Sequence, residues 1–290
     1  MKSETKADVY ETITARILEQ LEKGVIPWRK PWASHGVMAQ NYTTRKTYRG
    51  INAFILAVTP WDCPFFVTFK QAIDLGGNVR KGEKGTPIAF WNWVESKTEV
   101  DAKGKPKRIP FLRHYTAFNL EQCEGIAWEM PVKATNPDFS PIGEADRIAN
   151  GMPNPPTVRH GGDRACYNRG TDHVQMPKAD AFTSSDAYYH TLFHELTHAT
   201  GHESRLARKD LAEIAAFGDA AYSREELVAE MGAAFLAASA GIDPAVEQSA
   251  AYVKGWLAAI KADSKLLVMA AGQAQKAADY ILGAQQEANA

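Results

Sequence analysis

The segment His194-Glu195-Leu196-Thr197-His198 carries the residue types and the spacing of a metal-dependent hydrolase. On a helix, residues four positions apart lie on one face about one turn from each other, so both imidazoles can reach a single metal ion. Glu195 projects beside them and can take a proton from an attacking water. This H-E-x-x-H arrangement is that of zinc hydrolases. The alternative is a helix that carries two unrelated histidines and a surface glutamate.

The segment that contains these histidines is predicted to be a helix. Ser184, Ser185 or Asp186 can cap its start, and Gly201 supplies a stop signal after its end. The apolar residues along it are Tyr188, Tyr189, Leu192, Phe193 and Leu196. Because so much of the segment is apolar, we expect the helix to be buried and the metal site to lie within the protein.

A zinc site of this type needs a third protein ligand and an open position for water. His202 is close in sequence and is one candidate. However, the metzincin pattern places its third histidine at the position that Ser204 occupies in this chain. His202 is therefore the weaker candidate, and a ligand from another helix is expected.

A second helix, predicted at residues 223–235, offers two glutamates. Ser223 and Glu226 have the spacing of a capping box, which would give Glu226 a structural role at the helix start. A lone carboxylate at Glu230, among apolar residues in mid-helix, would be costly to bury without a cation. We therefore predict that Glu230 completes the metal site with His194 and His198. Glu226, one turn earlier, is either a supporting contact or the alternative ligand.

The composition fits a folded protein with more than one domain, since 290 residues suffice for two domains and 45% of them are hydrophobic. Cys63, Cys123 and Cys166 are far apart and form no C-x-x-C pair, which argues against a disulfide framework and suits a reducing cytoplasm. The first residues lack the apolar core of a signal peptide, and no apolar run reaches the ~18 residues that span a membrane. We expect a cytoplasmic protein with no membrane partner.

Charge and tryptophan are unevenly distributed along the chain. Residues 1–130 hold 19 Lys/Arg against 14 Asp/Glu, whereas residues 131–290 hold 14 against 20. Six of the seven tryptophans also lie in the first part. A basic, aromatic half joined to an acidic half indicates two different functions.

Two segments of the basic half, residues 25–32 and 41–50, interleave aromatic side chains with cations. Single-stranded nucleic acid needs such surfaces, because flat rings stack on its bases and charges contact its phosphates. The predicted DNA-binding residues are Trp28, Arg29, Lys30, Trp32, Tyr42, Arg45, Lys46, Tyr48 and Arg49. The alternative for the two tryptophans is a place in the core beneath a loop.

Periodicity and turn signals predict an α+β fold with two domains. A mixed α+β domain is expected at residues 1–130, and a mainly helical domain with a small sheet at residues 144–290. A proline-rich linker at 131–143 joins them. Predicted helices lie at 8–23, 51–58, 69–75 and 142–149, predicted strands at 65–69, 87–94 and 111–120, and a mobile hairpin tip at 97–108.

Two short strands, at residues 163–167 and 172–177, are predicted around a turn just before the histidine helix. A strand beside a metalloprotease site can present its edge to an extended peptide and bind it through main-chain hydrogen bonds. Alternatively, the hairpin only supports the helix. The sequence leaves both readings open.

Several further motifs accompany the metal-site pattern. They are Ile26-Pro27-Trp28 with Pro31-Trp32, Tyr48-Arg49-Gly50-Ile51-Asn52, Thr200-Gly201-His202 with Ser204-Arg205-Leu206, and Glu225-Glu226-Leu227-Val228-Ala229-Glu230. In this combination the sequence resembles the ArdC-type antirestriction proteins of conjugative plasmids over nearly its whole length. The resemblance implies an amino-terminal single-stranded-DNA-binding domain and a carboxy-terminal zincin-like metalloprotease domain. It also implies protection of incoming plasmid DNA from host restriction.

The expected function thus combines DNA binding with a gluzincin-like peptidase site that uses Zn²⁺, or Mn²⁺ or another divalent metal. Its substrate would be a protein, such as a component of the restriction machinery. A rival reading is a shield that coats single-stranded DNA, in which the metal domain is a structural or protein-docking module. A metal-dependent nuclease is disfavoured, because magnesium nucleases use carboxylate-rich sites.

Overall fold

The computed structural model describes residues 8–29, 37–100, 105–130, 140–208, 220–243 and 250–284. The amino-terminal half contains helices α1 (Val9–Glu22), α2 (Ile51–Ala57) and α3 (Phe69–Asp74) together with short and long strands. The carboxy-terminal half is mainly helical and carries a small sheet. The predicted α+β fold with two domains is confirmed.

Helix α1 forms where the apolar spacing predicts it. The Asp8 side chain accepts a hydrogen bond from the Tyr10 amide at 3.2 Å and caps the start of the helix. Ile13, Ile17 and Leu21 recur every four residues and are buried. The helix therefore covers a core with one apolar face.

The amino-terminal strands are β1 (Gln40–Asn41), β2 (Phe65–Thr68), β3 (Asn78–Val79), β4 (Thr86–Val100), β5 (Pro106–Asn119) and β6 (Cys123–Glu124). Four of them form one sheet in the order β1-β2-β5-β4, and β3 pairs separately with β6. Strand β1 runs parallel to β2, and the other pairs are antiparallel.

The β4–β5 hairpin is longer than the sequence predicted. A hairpin lies where the sequence predicts one, but its strands extend to Val100 and Pro106, with an irregularity in the pairing between Glu95 and Val100. Residues 101–104 lie outside the described residues. Ladder hydrogen bonds join main-chain groups, and charged side chains are therefore compatible with continued pairing.

The carboxy-terminal helices are α4 (Pro141–Asn150), α5 (Ser185–Ala199), α6 (Ala220–Ala240), α7 (Ala250–Ala262) and α8 (Leu266–Ile281). Helix α4 begins at Pro141, and residues 131–139 of the predicted linker are outside the described residues. None of the described helices is long and apolar enough to cross a membrane.

The small sheet has the order β7-β9-β8 and lies beside α5. Strands β8 (Cys166–Asn168) and β9 (His173–Met176) form the predicted antiparallel hairpin. Strand β7 (Thr157–His160) runs parallel to β9 and was not predicted. All four of its residues are exposed, so the strand buries no apolar face. It therefore lacks the alternation of apolar and polar residues by which a strand is predicted from sequence.

The largest hydrophobic core is shared by the two halves of the chain. The Phe54 ring of α2 stacks on Phe235 of α6 with centroids 4.7 Å apart. Trp28 meets Trp256 of α7 edge to face at 5.3 Å. These aromatic contacts hold helices α6 and α7 against the amino-terminal half.

Helices α5 and α6 approach closely at Gly232. A Cβ atom added there would lie 2.5 Å from Thr197 Cγ2 and 2.7 Å from Thr197 Oγ1. Thr197 is fixed by its own bond to the Phe193 carbonyl at 2.7 Å, so it cannot turn aside without losing that bond. The absence of a side chain at Gly232 thus allows the short distance between α5, which carries the histidines, and α6, which carries the glutamates.

Gly232→Ala is expected to lower the free energy of unfolding by about 1–3 kcal/mol, because it overpacks this contact. It should also weaken metal binding, since α6 must move away from α5. Thermal unfolding and metal titration measure the two effects. Gly255→Ala, where a Cβ would meet nothing within 4 Å, is the matched control. Wild-type values for Gly232→Ala would contradict this account of the helix contact.

Candidate metal centre

Two imidazoles of α5 and one carboxylate of α6 face a common point. Ligand atoms of His194, His198 and Glu226 all lie within 4.8 Å of one another. The two Nε2 atoms are 3.1 Å apart, and Glu226 places its oxygens 3.6 Å from His194 Nε2 and 3.3 Å from His198 Nε2. Two imidazole nitrogens and one carboxylate form the protein donor set of catalytic zinc sites. The residues therefore fit a divalent cation.

The predicted third ligand, Glu230, lies elsewhere. Its Oε1 is 3.6 Å from Nδ1 of His194, the ring nitrogen on the opposite side from the cluster. A carboxylate at that nitrogen orients the ring and makes the other nitrogen more basic. The prediction of Glu230 is thus corrected: Glu226 faces both Nε2 atoms, and Glu230 supports His194 from behind.

Helix α6 frees Glu226 from the capping role that the sequence assigned to it. Ala220, three residues before Ser223, is already helical, so Ser223 lies inside the helix rather than at its start. A capping box requires its serine at the N-cap, and the predicted box is therefore wrong. Glu226 and Glu230 lie one turn apart on α6 and reach the two sides of His194.

A buried ion pair supports the second histidine. Glu225 Oε1 is 3.3 Å from His198 Nδ1, and Glu225 is only 1% exposed. Arg208 donates to both oxygens of Glu225, with Nε at 3.1 Å from Oε2, and also donates to the Thr197 carbonyl at 2.7 Å. The sequence reasoning missed Glu225 and Arg208. The pattern of acidic residues one and four positions apart in Glu225, Glu226 and Glu230 was the signal that could have identified Glu225.

The carboxylates make this cluster a site for positive charge. Burial acts to lower the pKa of His198, but the hydrogen bonds that its ring donates to Glu225 and Glu226 raise it to about 10. Burial also acts to lower the pKa of His194, but Glu226 and Glu230 outweigh this effect and raise that pKa above its ordinary value. Burial raises the pKa of Glu226, but the two imidazoles outweigh it and hold that pKa below its ordinary value.

A third histidine lies one turn before the cluster on α5. His190 is buried, and burial followed by the nearby charge of His194 lowers its pKa to about 4. It is therefore neutral at physiological pH. His202, which the sequence offered as a possible ligand, instead places its Nδ1 2.8 Å from the Ser204 hydroxyl.

Glu195 lies next to the edge strand of the small sheet. It is 7% exposed on α5. Cys166 of β8 is close enough for Glu195 to raise the pKa of its thiol, in addition to the larger effect of burial. Glu195 thus lies between the two histidines in sequence, on a helix that packs against β8, a strand with one free edge within the described sheet.

The predicted DNA-binding residues divide into buried, exposed and undescribed groups. Trp28 is 1% exposed and Tyr48 is 7% exposed, so neither ring can stack on a base, and these two predictions are wrong. Tyr42 is half-buried, with the guanidinium of Arg45 over its ring at 4.4 Å. The exposed cations of this set are Arg29, Arg45, Lys46 and Arg49, whereas Lys30 and Trp32 lie outside the described residues.

Trp28→Leu is expected to lower the free energy of unfolding by about 2 kcal/mol, because it removes ring contacts with Phe54 and Trp256. Chemical denaturation measures this change. The affinity of the folded variant for single-stranded DNA should equal that of the wild type. A large loss of affinity with unchanged stability would return Trp28 to the DNA-binding surface.

Comparison with known proteins decides the family. Residues 7–118 match the N-terminal domain of anti-restriction factor ArdC, and residues 145–273 match a zincin-like metallopeptidase domain. The Mn(II)-bound crystal structure of the antirestriction ArdC protein from the R388 plasmid aligns with a TM-score of 0.75 at 36% identity. This alignment covers 97% of this chain and 100% of that chain. The chain belongs to the ArdC antirestriction family.

Two curated relatives differ in length from each other. Uncharacterized protein y4eC of Sinorhizobium fredii (strain NBRC 101917 / NGR234) is 34% identical over 98% of this chain and 95% of its own length. A DNA primase TraC of Escherichia coli is 38% identical over 98% of this chain, which spans only 28% of the primase. As an ArdC family member with a zincin-like domain and a Mn(II)-bound relative, the chain is expected to take a divalent metal at the cluster.

Proposed function

We propose that this ArdC family member is a metal-dependent peptidase that also binds single-stranded DNA, and that it protects incoming conjugative DNA from restriction. The observation that carries the proposal is the convergence of His194, His198 and Glu226 beside a buried Glu195. Its location would be the cytoplasm, and its protein substrate would be a component of the restriction machinery.

The three ligands would hold Zn²⁺, with Mn²⁺ as the alternative that the R388 relative supports. A bound divalent cation supplies Lewis acidity and lowers the pKa of water towards ~7. Glu225 and Glu230 hold the two imidazoles in orientation through their Nδ1 atoms. Arg208 holds Glu225 and offsets its buried charge.

Glu195 would be the general base and then the general acid. It takes a proton from the water that attacks the peptide carbonyl, and it returns this proton to the leaving amine. His194 and His198 would bind the metal without help from Glu195. A purely structural metal site would therefore not require Glu195. The presence of Glu195 in the motif favours a catalytic function over a structural one.

Strand β8 is the element best placed to hold the substrate. It lies at one edge of the sheet β7-β9-β8 and packs against α5, the helix that carries Glu195. An extended peptide could pair with this edge and place its carbonyl near the base. This favours the substrate-binding reading of the hairpin over the merely supporting one.

Metal-dependent proteolysis tests the enzymatic part of the proposal. The purified protein is incubated with an extract of restricting cells, and cleavage products are identified by mass spectrometry. We expect products that disappear with EDTA and return when Zn²⁺ or Mn²⁺ is added in excess. Products that persist in EDTA would indicate a contaminating peptidase, and no products under any condition would favour the DNA-coating shield.

A further inference from the structure

A cavity of about 700 Å³ lies between the amino-terminal sheet and the last described helix. One wall is formed by β4, β5 and the start of α2, and the opposite wall by α8. The metal centre contributes none of its residues to this lining. The cavity, called the α8 cleft below, is thus a separate feature of the molecule.

The sheet wall of the α8 cleft carries an exposed indole. Trp91 of β4 is 45% exposed, and it is paired in register with Leu112 of β5, which is buried. Most tryptophans of a folded domain bury their large apolar surface, and an exposed one inside a cavity therefore indicates a ligand that covers it. A flat ring in a cavity with polar walls suits a planar, unsaturated ligand.

The cleft is lined by two cations, Lys276 of α8 and Arg49 just before α2, and by one carboxylate, Asp279 of α8. Lys276 is exposed and forms no ion pair with any residue in the described part of the chain. Arg49 is 58% exposed in its side chain and is paired with Asp279, which is 14% exposed. Asp279 holds this guanidinium at the cleft, and most of the five N–H donors of Arg49 remain available for a second anion.

The walls are held together by polar contacts that leave the space itself open. The Gln275 side chain accepts a hydrogen bond from the Gly50 amide at 3.0 Å and donates to Asp279 at 3.1 Å. The Asn52 side chain donates a hydrogen bond to the Ala89 carbonyl at 2.7 Å and accepts one from the Ala89 amide at 2.8 Å. At Gly272, by contrast, an added Cβ would meet nothing within 4 Å. The cleft is therefore a built and accessible space.

We infer that the α8 cleft binds a nucleotide unit of single-stranded DNA, with its base stacked on Trp91 and its phosphates on Lys276 and Arg49. The inference rests on the proposed function, and it adds the place on the protein where the DNA strand binds. An aromatic platform beside cations is the combination that single strands require. The cleft replaces Trp28 and Tyr48, which are buried, as the stacking site.

Binding of a fluorescein-labelled oligothymidylate to the full chain, measured by anisotropy, tests the assignment. Trp91→Ala should weaken binding about tenfold, because base–aromatic stacking is lost. Trp91→Phe should recover most of the affinity, since it keeps a ring. Phe69→Ala, which removes a ring that is 54% exposed on α3, is the matched control and should bind as the wild type does.

Salt dependence tests the phosphate contacts independently of the indole. Lys276→Ala should reduce the slope of log affinity against log salt by about 0.7, the value for one phosphate contact on a single strand. Lys70→Ala on α3 should leave the slope unchanged. Circular dichroism and the melting temperature confirm that each variant is folded.

The possible outcomes separate this inference from the proposed function. If the wild type binds the oligonucleotide but Trp91→Ala and Lys276→Ala bind equally well, the cleft assignment is overturned and DNA binding itself stands. If the wild type does not bind, both fail. If thymidine monophosphate binds as tightly as the oligonucleotide and displaces it, the cleft is a site for free nucleotides, and its assignment to a DNA strand is overturned.

Discussion

Glu226→Ala is expected to lower the affinity for Zn²⁺ or Mn²⁺ far more than Glu230→Ala does. Glu226 faces Nε2 of both histidines, so its loss removes one of three protein ligands. Glu230 lies at Nδ1 of His194, away from the cluster, and loss of such a supporting carboxylate costs about 10–100-fold in metal affinity. We expect the Glu226→Ala effect to exceed the upper end of that range.

Titration against a chromophoric chelator measures both affinities on the same protein preparation. Glu225 contacts Nδ1 of His198, as Glu230 contacts Nδ1 of His194. Glu225→Gln should therefore also lower the metal affinity by about 10–100-fold. Glu203→Ala, an exposed glutamate in the loop after α5, should bind metal as the wild type does. A larger loss for Glu230→Ala than for Glu226→Ala would restore the ligand set that the sequence alone indicated.

The histidine pair could be predicted from the sequence because its geometry is local. Four residues along a helix return to the same face whatever the rest of the chain does, and α5 has the predicted cap at Ser184. The third ligand could not be predicted with the same certainty. It depends on where α6 begins and how α6 lies against α5, and both are tertiary properties.

The error at Glu226 illustrates this dependence. Read alone, Ser223 and Glu226 have the spacing of a capping box, and that reading is sound if a helix starts at Ser223. In the structure Ala220 is already helical, so the same spacing falls inside the helix. Gly232, which allows the close approach to Thr197, was the better sequence signal for which part of α6 faces the metal.

The tryptophans show the same limit for the DNA-binding surface. Trp28 sits in a basic, proline-rich segment that suits a nucleic-acid contact, but its ring is buried against Trp256, which is far along the chain. Trp91 sits in a strand of ordinary β-sheet composition, and it remains exposed. Local chemistry selects tryptophans near cations, whereas burial, which decides whether a ring is available to a ligand, comes from contacts between the two halves of the chain.

Glu195→Ala is expected to abolish peptidase activity while leaving the fold, metal binding and DNA binding intact. Loss of a general base or acid costs about 10²–10⁴-fold in rate. The side chain contributes no ligand atom to the cluster of His194, His198 and Glu226, and it does not line the α8 cleft. Metal titration, thermal unfolding and oligonucleotide binding should therefore give wild-type values.

The biological consequence of Glu195→Ala decides between a protease and a shield. Plasmid transfer by conjugation is measured into a restricting host and into a non-restricting one, with wild type, Glu195→Ala and the exposed control Glu203→Ala. If proteolysis of a restriction component provides protection, Glu195→Ala should lose it in the restricting host only, and Glu203→Ala should keep it. Full protection by Glu195→Ala would show that peptidase chemistry is dispensable there. Protection would then rest on the coating of single-stranded DNA, and Trp91→Ala rather than Glu195→Ala would be the variant that loses it.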